Sequence, residues 1–125
     1  NKAKKFVDDE IKLTEFYTNY YSRTGQWNKL DEFINRNLAT HPEGWKIYLS
    51  YIIMHLVDYY PDKIITYLKK GFLLFPDQEY FAQFAVSYAQ EYKEYDVIHK
   101  LLEEVAPKLQ YDISRYQSDL EMLSE

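Results

Sequence analysis

The chain repeats its pattern of apolar residues at a fixed offset of 34 residues. Three segments align at this offset, and they begin at Gln26, Tyr60 and Glu94. Four apolar positions superpose in them: Leu30 with Ile64 and Ile98, Phe33 with Tyr67 and Leu101, Ile34 with Leu68 and Leu102, and Leu38 with Phe72 and Ala106. Apolar residues three and four apart mark one face of a helix, so a period near 34 predicts a solenoid of helix pairs. Solenoids expose long surfaces that usually bind partners.

Seven helices are predicted from this spacing and from the breakers between the apolar runs. Glycine occurs only 3 times and proline 4 times, so most of the chain lacks helix breakers. The predicted helices cover about residues 2–23, 27–39, 43–59, 61–74, 78–92, 95–105 and 108–124. On the first helix, Leu13, Phe16, Tyr17 and Tyr20 form one apolar stripe at helical spacing.

The last predicted helix carries a narrow apolar stripe made of Leu109, Ile113, Tyr116, Leu120 and Leu123. A solenoid's terminal repeat cannot bury its own outer face, so a closing helix with one wet side is needed. We therefore expect this segment to cap the sixth helix. The alternative is that it forms the first half of a fourth repeat.

The stretch from Gly25-Gln26-Trp27 to Leu38 and Pro42 resembles the tetratricopeptide repeat superfamily, whose second helix opens with Gly-x-aromatic and is closed by a proline. The resemblance covers about residues 11–107 and implies an all-α fold, a right-handed α–α superhelix of about seven antiparallel helices. It implies one domain, 1–125, with units at about 11–44, 45–78 and 79–107 and a capping helix at 108–124. A weaker likeness, carried by Trp45, Tyr48 and Tyr51, is to the half-a-tetratricopeptide repeats of RNA-processing scaffolds.

The resemblance also implies a concave groove lined by the first helix of each unit. The matching positions are Lys12, Glu15, Asn19 and Arg23, then Lys46, Leu49, Ile53 and Leu56, then Tyr80, Gln83, Ser87 and Gln90. Leu49, Ile53 and Leu56 share one helix face, which leaves two interpretations open. They form an exposed strip that binds a partner, or part of the strip is buried against a neighbouring helix. The prediction is that they carry partner binding rather than fold stability.

Catalytic and metal chemistry finds little support in the sequence. The three histidines, His41, His55 and His99, fall on different predicted elements, and no phosphate-loop, HExxH or GxSxG motif occurs. His99 and Glu103 have a spacing that could share a metal, but solvated helix faces often show it. There is no cysteine, so thiolate metal ligands and disulfides are excluded. We expect no catalytic residue, no metal and no cofactor.

The charge distribution bears on the class of partner. The net charge is −5, with 11 basic and 9 acidic residues up to residue 76 and 4 basic and 11 acidic residues after it. Nucleic-acid affinity rests largely on Lys and Arg contacts to phosphates, so no nucleic-acid partner is expected. No apolar run approaches the roughly 20 residues of a membrane span, so no membrane insertion is expected. The absence of cysteine favours a reducing, cytoplasmic compartment. The start at Asn1 suggests a fragment of a longer protein.

The sequence therefore favours a non-enzymatic scaffold module that binds a protein or peptide in its groove, with homo-oligomerisation open. Two alternatives remain. The chain is a regulatory or structural domain of a larger protein, with the groove filled in cis, or it is an RNA-processing scaffold of the half-a-tetratricopeptide type.

Overall fold

A computed structural model describes residues 2–125, apart from the side chains of Ala3 and Phe6. Its described part is all-helical and holds seven helices with no strand. They are α1 (Lys2–Arg23), α2 (Trp27–Phe33, continued by Ile34–Leu38), α3 (Gly44–Ile47, Tyr48–Ile53 and Met54–Tyr59), α4 (Pro61–Lys63 and Ile64–Leu74), α5 (Tyr80–Tyr92), α6 (Tyr95–Val105) and α7 (Ser114–Ser124). The all-helical prediction is confirmed.

Two helices contain a π-helical stretch, in which each backbone N–H bonds to the carbonyl five residues earlier. In α2 this stretch is Ile34–Leu38, and the Ala39 N–H donates to the Ile34 carbonyl at 3.0 Å. In α3 it is Tyr48–Ile53, in the middle of the helix. A π-helical turn holds more residues than an α-helical turn, so it changes which side chains downstream share a face.

The predicted boundary of the last helix is wrong at its start. Ala106–Lys108 forms a short 3₁₀ turn, and Leu109 is extended, with φ −85° and ψ 152°. Helix α7 begins only at Ser114, whose N–H and hydroxyl both donate to Asp112 Oδ1, at 2.9 and 2.7 Å. An Asp side chain that accepts the backbone N–H two residues later closes a local turn, here directly before the helix. Pro107 and this Asp112 contact therefore separate α6 from α7.

The structure divides into two compact units, Asn1–Ile64 and Ile65–Glu125. In the first unit, α3 packs against both α1 and α2. In the second unit, α7 packs against both α5 and α6. Each unit thus contains a helix pair whose open side is covered by the next helix. The finer division into three repeats and a cap stays a prediction of the sequence.

Most of the positions that repeat every 34 residues lie in the core of one of the two units. Leu30, Ile64 and Ile98 are fully buried. The other buried members are Ile34, Leu38, Tyr67, Leu68, Phe72, Leu101 and Leu102. Phe33 and Ala106 are only half-buried. In the second unit, Phe81 of α5 joins this core by packing its ring against Phe72 of α4 and Phe75, which follows α4, with centroids 6.0 and 5.9 Å apart.

Helix α1 does not bury the stripe that its sequence suggests. Its buried face is a polar row spaced by four residues, made of Glu10, Thr14, Thr18 and Ser22. Leu13, Phe16 and Tyr20 are exposed, and Tyr17 is half-buried. The small threonine and serine side chains let α2 and α3 approach α1 closely, whereas the large rings would hold these helices apart. The apolar stripe of α1 therefore lies largely outside the core.

Candidate binding groove

A groove of about 620 Å³ lies between α1 and α3 in the first unit. Helix α1 contributes Glu15, Thr18, Asn19 and Arg23 to its walls. The end of α3 contributes the remaining lining residues, Ser50, Tyr51, Met54, His55, Asp58, Tyr59 and Tyr60. We refer to it as the α1–α3 groove. It brings together three of the four positions that the resemblance predicted for the first unit, namely Glu15, Asn19 and Arg23, whereas Lys12 is exposed on α1 outside this lining.

The wall from α3 differs from the predicted one. Ile53 and Leu56 are 0% exposed, Leu49 is half-buried, and none of the three lines the groove. The prediction that this strip is an exposed partner site is therefore wrong, because two of its members belong to the core. Lys46 is exposed and lies 3.4 Å from Glu43, which precedes α3.

The π-helical stretch of α3 explains the change of face. Its buried residues are five apart, Ile47 with Ile52 and Tyr48 with Ile53. Residues five apart share a face across a π-helical turn, but they diverge in a regular α-helix of 3.6 residues per turn. The groove receives residues spaced by four, Ser50, Met54 and Asp58 beside Tyr51, His55 and Tyr59.

The third predicted wall lies on α5, in the second unit. Tyr80, Gln83, Ser87 and Gln90 are all exposed there. Gln83 bonds the Tyr116 hydroxyl of α7, and that hydroxyl also donates to the Glu79 carboxylate. Part of this wall is therefore in contact with α7.

His55 is held at the back of the α1–α3 groove by a hydrogen bond to α1. Its Nε2 lies 3.1 Å from Ser22 Oγ, and the Ser22 hydroxyl donates to the Thr18 carbonyl at 2.6 Å. Because that hydroxyl proton is already engaged, Nε2–H is the donor to Ser22 Oγ, which leaves Nδ1 of the neutral ring as an acceptor. The ring centroid lies 5.1 Å from that of Tyr59 and 5.8 Å from that of Tyr60.

Burial lowers the pKa of His55 below its ordinary value of 6.5, and the Asp58 carboxylate partly opposes this shift. The folded state therefore disfavours the protonated ring, whereas the unfolded chain accepts the proton near pH 6.5. This contribution to stability is complete above about pH 6.5 and is lost as the pH falls through the folded pKa. We expect the melting temperature to fall from pH 7.5 to pH 5.5 by less in His55→Gln than in the unmodified chain. His41→Gln is the control, and a pH dependence unchanged by His55→Gln would contradict the assignment.

Charged groups of the groove are available to a partner. Glu15, Arg23 and Asp58 are exposed, and none of them has an ion-pair partner among residues 2–125. Tyr59 is 69% exposed, and Tyr60 packs edge-on against Trp27 with ring centroids 5.4 Å apart. The Lys63 ammonium lies 4.9 Å from the centre of the Trp27 ring. The groove thus combines unpaired charges with accessible aromatic rings.

The wall of the groove also contains a hydroxyl without a hydrogen-bond partner. Thr18 is 1% exposed, and its Oγ1 accepts and donates no bond within the described structure. Thr14 Oγ1 and Glu10 Oε2, in the same polar row, share this property. A buried polar atom left unpaired costs roughly 1–3 kcal/mol of folding free energy. This row of α1 therefore allows close helix packing at a cost in the stability of the fold.

The described residues contain no arranged set of metal ligands. No group of three or more His, Asp or Glu side chains there could hold a metal ion. His99 instead lies between two carboxylates, with Nδ1 3.2 Å from Glu103 and Nε2 3.6 Å from Glu121. None of the helices in the described range is both long and apolar enough to cross a membrane.

Comparison with known proteins adds no relative. The chain matches no protein-family model, and it shows no significant similarity to curated proteins or to solved structures. The 34-residue period and the α1–α3 groove are therefore the features that indicate a function.

Proposed function

We propose that this chain is a non-enzymatic, tetratricopeptide-like module that binds a segment of a protein or peptide in the α1–α3 groove. The observation that carries the proposal is the presence of three exposed charged groups, Glu15, Arg23 and Asp58, beside the exposed Tyr59 ring in one groove. None of the three forms a salt bridge with another described residue, so each keeps its capacity for charge-assisted bonds to a ligand. The 34-residue period supports the repeat part of the proposal.

The size of the groove suits a short extended segment. Its α1 wall runs from Glu15 to Arg23, which is roughly 12 Å at 1.5 Å per residue. An extended chain rises about 3.3 Å per residue, so three to four peptide residues span this wall. The volume of about 620 Å³ falls within the range of pockets that enclose small ligands.

The chemistry of the groove favours a segment with a basic side chain. Glu15 and Asp58 give two carboxylates, and Tyr51, Tyr59 and Tyr60 give three aromatic rings. A lysine or arginine placed over a ring and near a carboxylate gains from both contacts. Arg23 and Asn19 remain to bond carbonyl oxygens of the same segment.

A peptide-display selection on the unmodified chain tests the proposal. We expect the selected peptides to be enriched in Lys and Arg and to lose about tenfold or more in affinity, roughly 1.4 kcal/mol, for the Asp58→Lys variant. The matched control is Glu91→Lys, because Glu91 is also an exposed carboxylate in the last turn of its helix, α5. Anisotropy titrations at two salt concentrations give the affinities.

Two outcomes would contradict the proposal. If no peptide is enriched, the groove does not bind segments of this kind. If the selected peptides bind Asp58→Lys and Glu91→Lys equally well, they bind elsewhere on the chain.

A further inference from the structure

Helix α1 has an exposed apolar face on the side away from its polar row. Leu13 is 40% exposed, Phe16 is 62% exposed and Tyr20 is 40% exposed. The Phe16 and Tyr20 rings stack on each other, with centroids 6.2 Å apart and planes 8° from parallel. Contiguous exposed apolar side chains of this kind mark surfaces that contact a partner.

The spacing of this face is that of a helix–helix seam. Leu13, Phe16 and Tyr20 follow one another at intervals of three and four residues. This alternation keeps side chains on one line along a helix and is the spacing of paired helices in coiled coils. The face therefore fits another helix that lies along α1.

Charged and aromatic residues on this face lie at equal distances on either side of Phe16, and the residues of each pair are chemically complementary. Asp9 lies seven residues before it and Arg23 seven residues after it, which is close to two helical turns in each direction. Lys12 and Tyr20 lie four residues on either side. Asp9, Lys12 and Arg23 are exposed and have no ion-pair partner within residues 2–125.

We propose that this face pairs with the same face of a second copy of the chain, as an antiparallel α1–α1 contact centred on Phe16. A two-fold axis at Phe16 places each Asp9 opposite Arg23 of the other copy, and each Lys12 opposite Tyr20. The contact thus contains two ion pairs, two cation–π contacts and a central pair of Phe16 rings. A two-fold interface must be self-complementary in this way, because a residue i that contacts residue j of the other copy implies the same contact between j and i.

A second copy of the chain fits this face better than an unrelated helix does, because the face is complementary to itself. An unrelated partner needs only apolar spacing, and nothing then requires opposite charges at equal distances from the central ring. Arg23 also borders the α1–α3 groove, so Asp9 and Phe16, which do not line it, are the positions to change first.

Sedimentation equilibrium of the whole chain over a wide concentration range tests the proposal. We expect a monomer–dimer equilibrium, and we expect Phe16→Glu to remain monomeric at every concentration. Met122→Glu is the matched control, because Met122 is also highly exposed but lies on α7. Since both positions are exposed, neither change should lower the melting temperature at concentrations where the unmodified chain is monomeric, which separates loss of pairing from loss of folding.

A charge exchange then identifies the register. Asp9→Arg and Arg23→Asp should each raise the dimer dissociation constant by about tenfold. The double variant with both changes should have a dissociation constant within about threefold of that of the unmodified chain. Failure of the double variant to recover would overturn the antiparallel register. A chain that stays monomeric up to about 0.5 mM would overturn the proposal as a whole and would leave this face to a different protein segment.

Discussion

Replacement of Ile53 by aspartate is expected to unfold the first unit. Ile53 is 0% exposed, so the change removes apolar burial worth about 1.5–3 kcal/mol and places a carboxylate where it has no partner, at a cost of several kcal/mol more. Domains of this size are usually stable by only about 5–15 kcal/mol. Thermal unfolding followed by circular dichroism should show a large loss of helix at room temperature or a much lower melting temperature.

Leu49→Asp is the matched control for this experiment. Leu49 lies one helical turn earlier on α3 and is half-buried, so the same substitution should lower the melting temperature much less. If Ile53→Asp melts within a few degrees of the unmodified chain and loses binding to selected peptides, Ile53 is a partner contact and not part of the core.

Removal of residues 108–125 is expected to destabilise the second unit strongly. Helix α7 and the residue before it bury Ile113, Tyr116 and Leu120 against α5 and α6. Three such side chains contribute roughly 1.5–3 kcal/mol each before the entropy of ordering the segment is subtracted. The segment also contacts the loop between α4 and α5, because the Gln110 N–H donates to the Pro76 carbonyl at 2.9 Å. The chain 1–107 should melt at a lower temperature and self-associate.

The chain 1–121 is the control for this truncation. It lacks only residues 122–125, all of which are exposed, so its melting temperature should stay close to that of the complete chain. An unchanged melting temperature and a monomeric state for the chain 1–107 would show that α7 does not cap the second unit. Dimerisation through α1 is distinguished from this association by introducing Phe16→Glu in both truncated chains.

Much of the helical framework could be read from the sequence. The starts of α1, α4 and α6 and the ends of α3 and α5 coincide with the prediction, because glycine, proline and polar residues separate the apolar runs. The start of α7 could not be read, because Leu109 and Ile113 continue an apolar spacing of four that the extended backbone at Leu109 does not obey. The spacing of apolar residues alone does not distinguish a residue in a helix from a residue in an irregular segment whose side chain also packs into the core.

The candidate groove could be predicted only on one side. Glu15, Asn19 and Arg23 line its α1 wall, because α1 is regular throughout and its residues keep the spacing of 3.6 per turn. The α3 wall was not predicted, since Ile53 and Leu56 are buried and the groove receives Ser50, Met54 and Asp58 instead. Tyr59 and Tyr60, directly before Pro61, also line the groove. Nothing in their sequence context predicts this position.

The sequence by itself determined the buried positions of the second helices. Leu30, Ile64 and Ile98, and most of the positions that recur with them, lie in the core because each is apolar at the same point of the 34-residue period. The tertiary structure decided which faces of α1 and α3 are buried. Both helices carry apolar residues on more than one side, so the choice depends on which face allows the neighbouring helices the closest approach. On α1 that face is the small polar row of Thr14, Thr18 and Ser22, and the aromatic stripe is left outside.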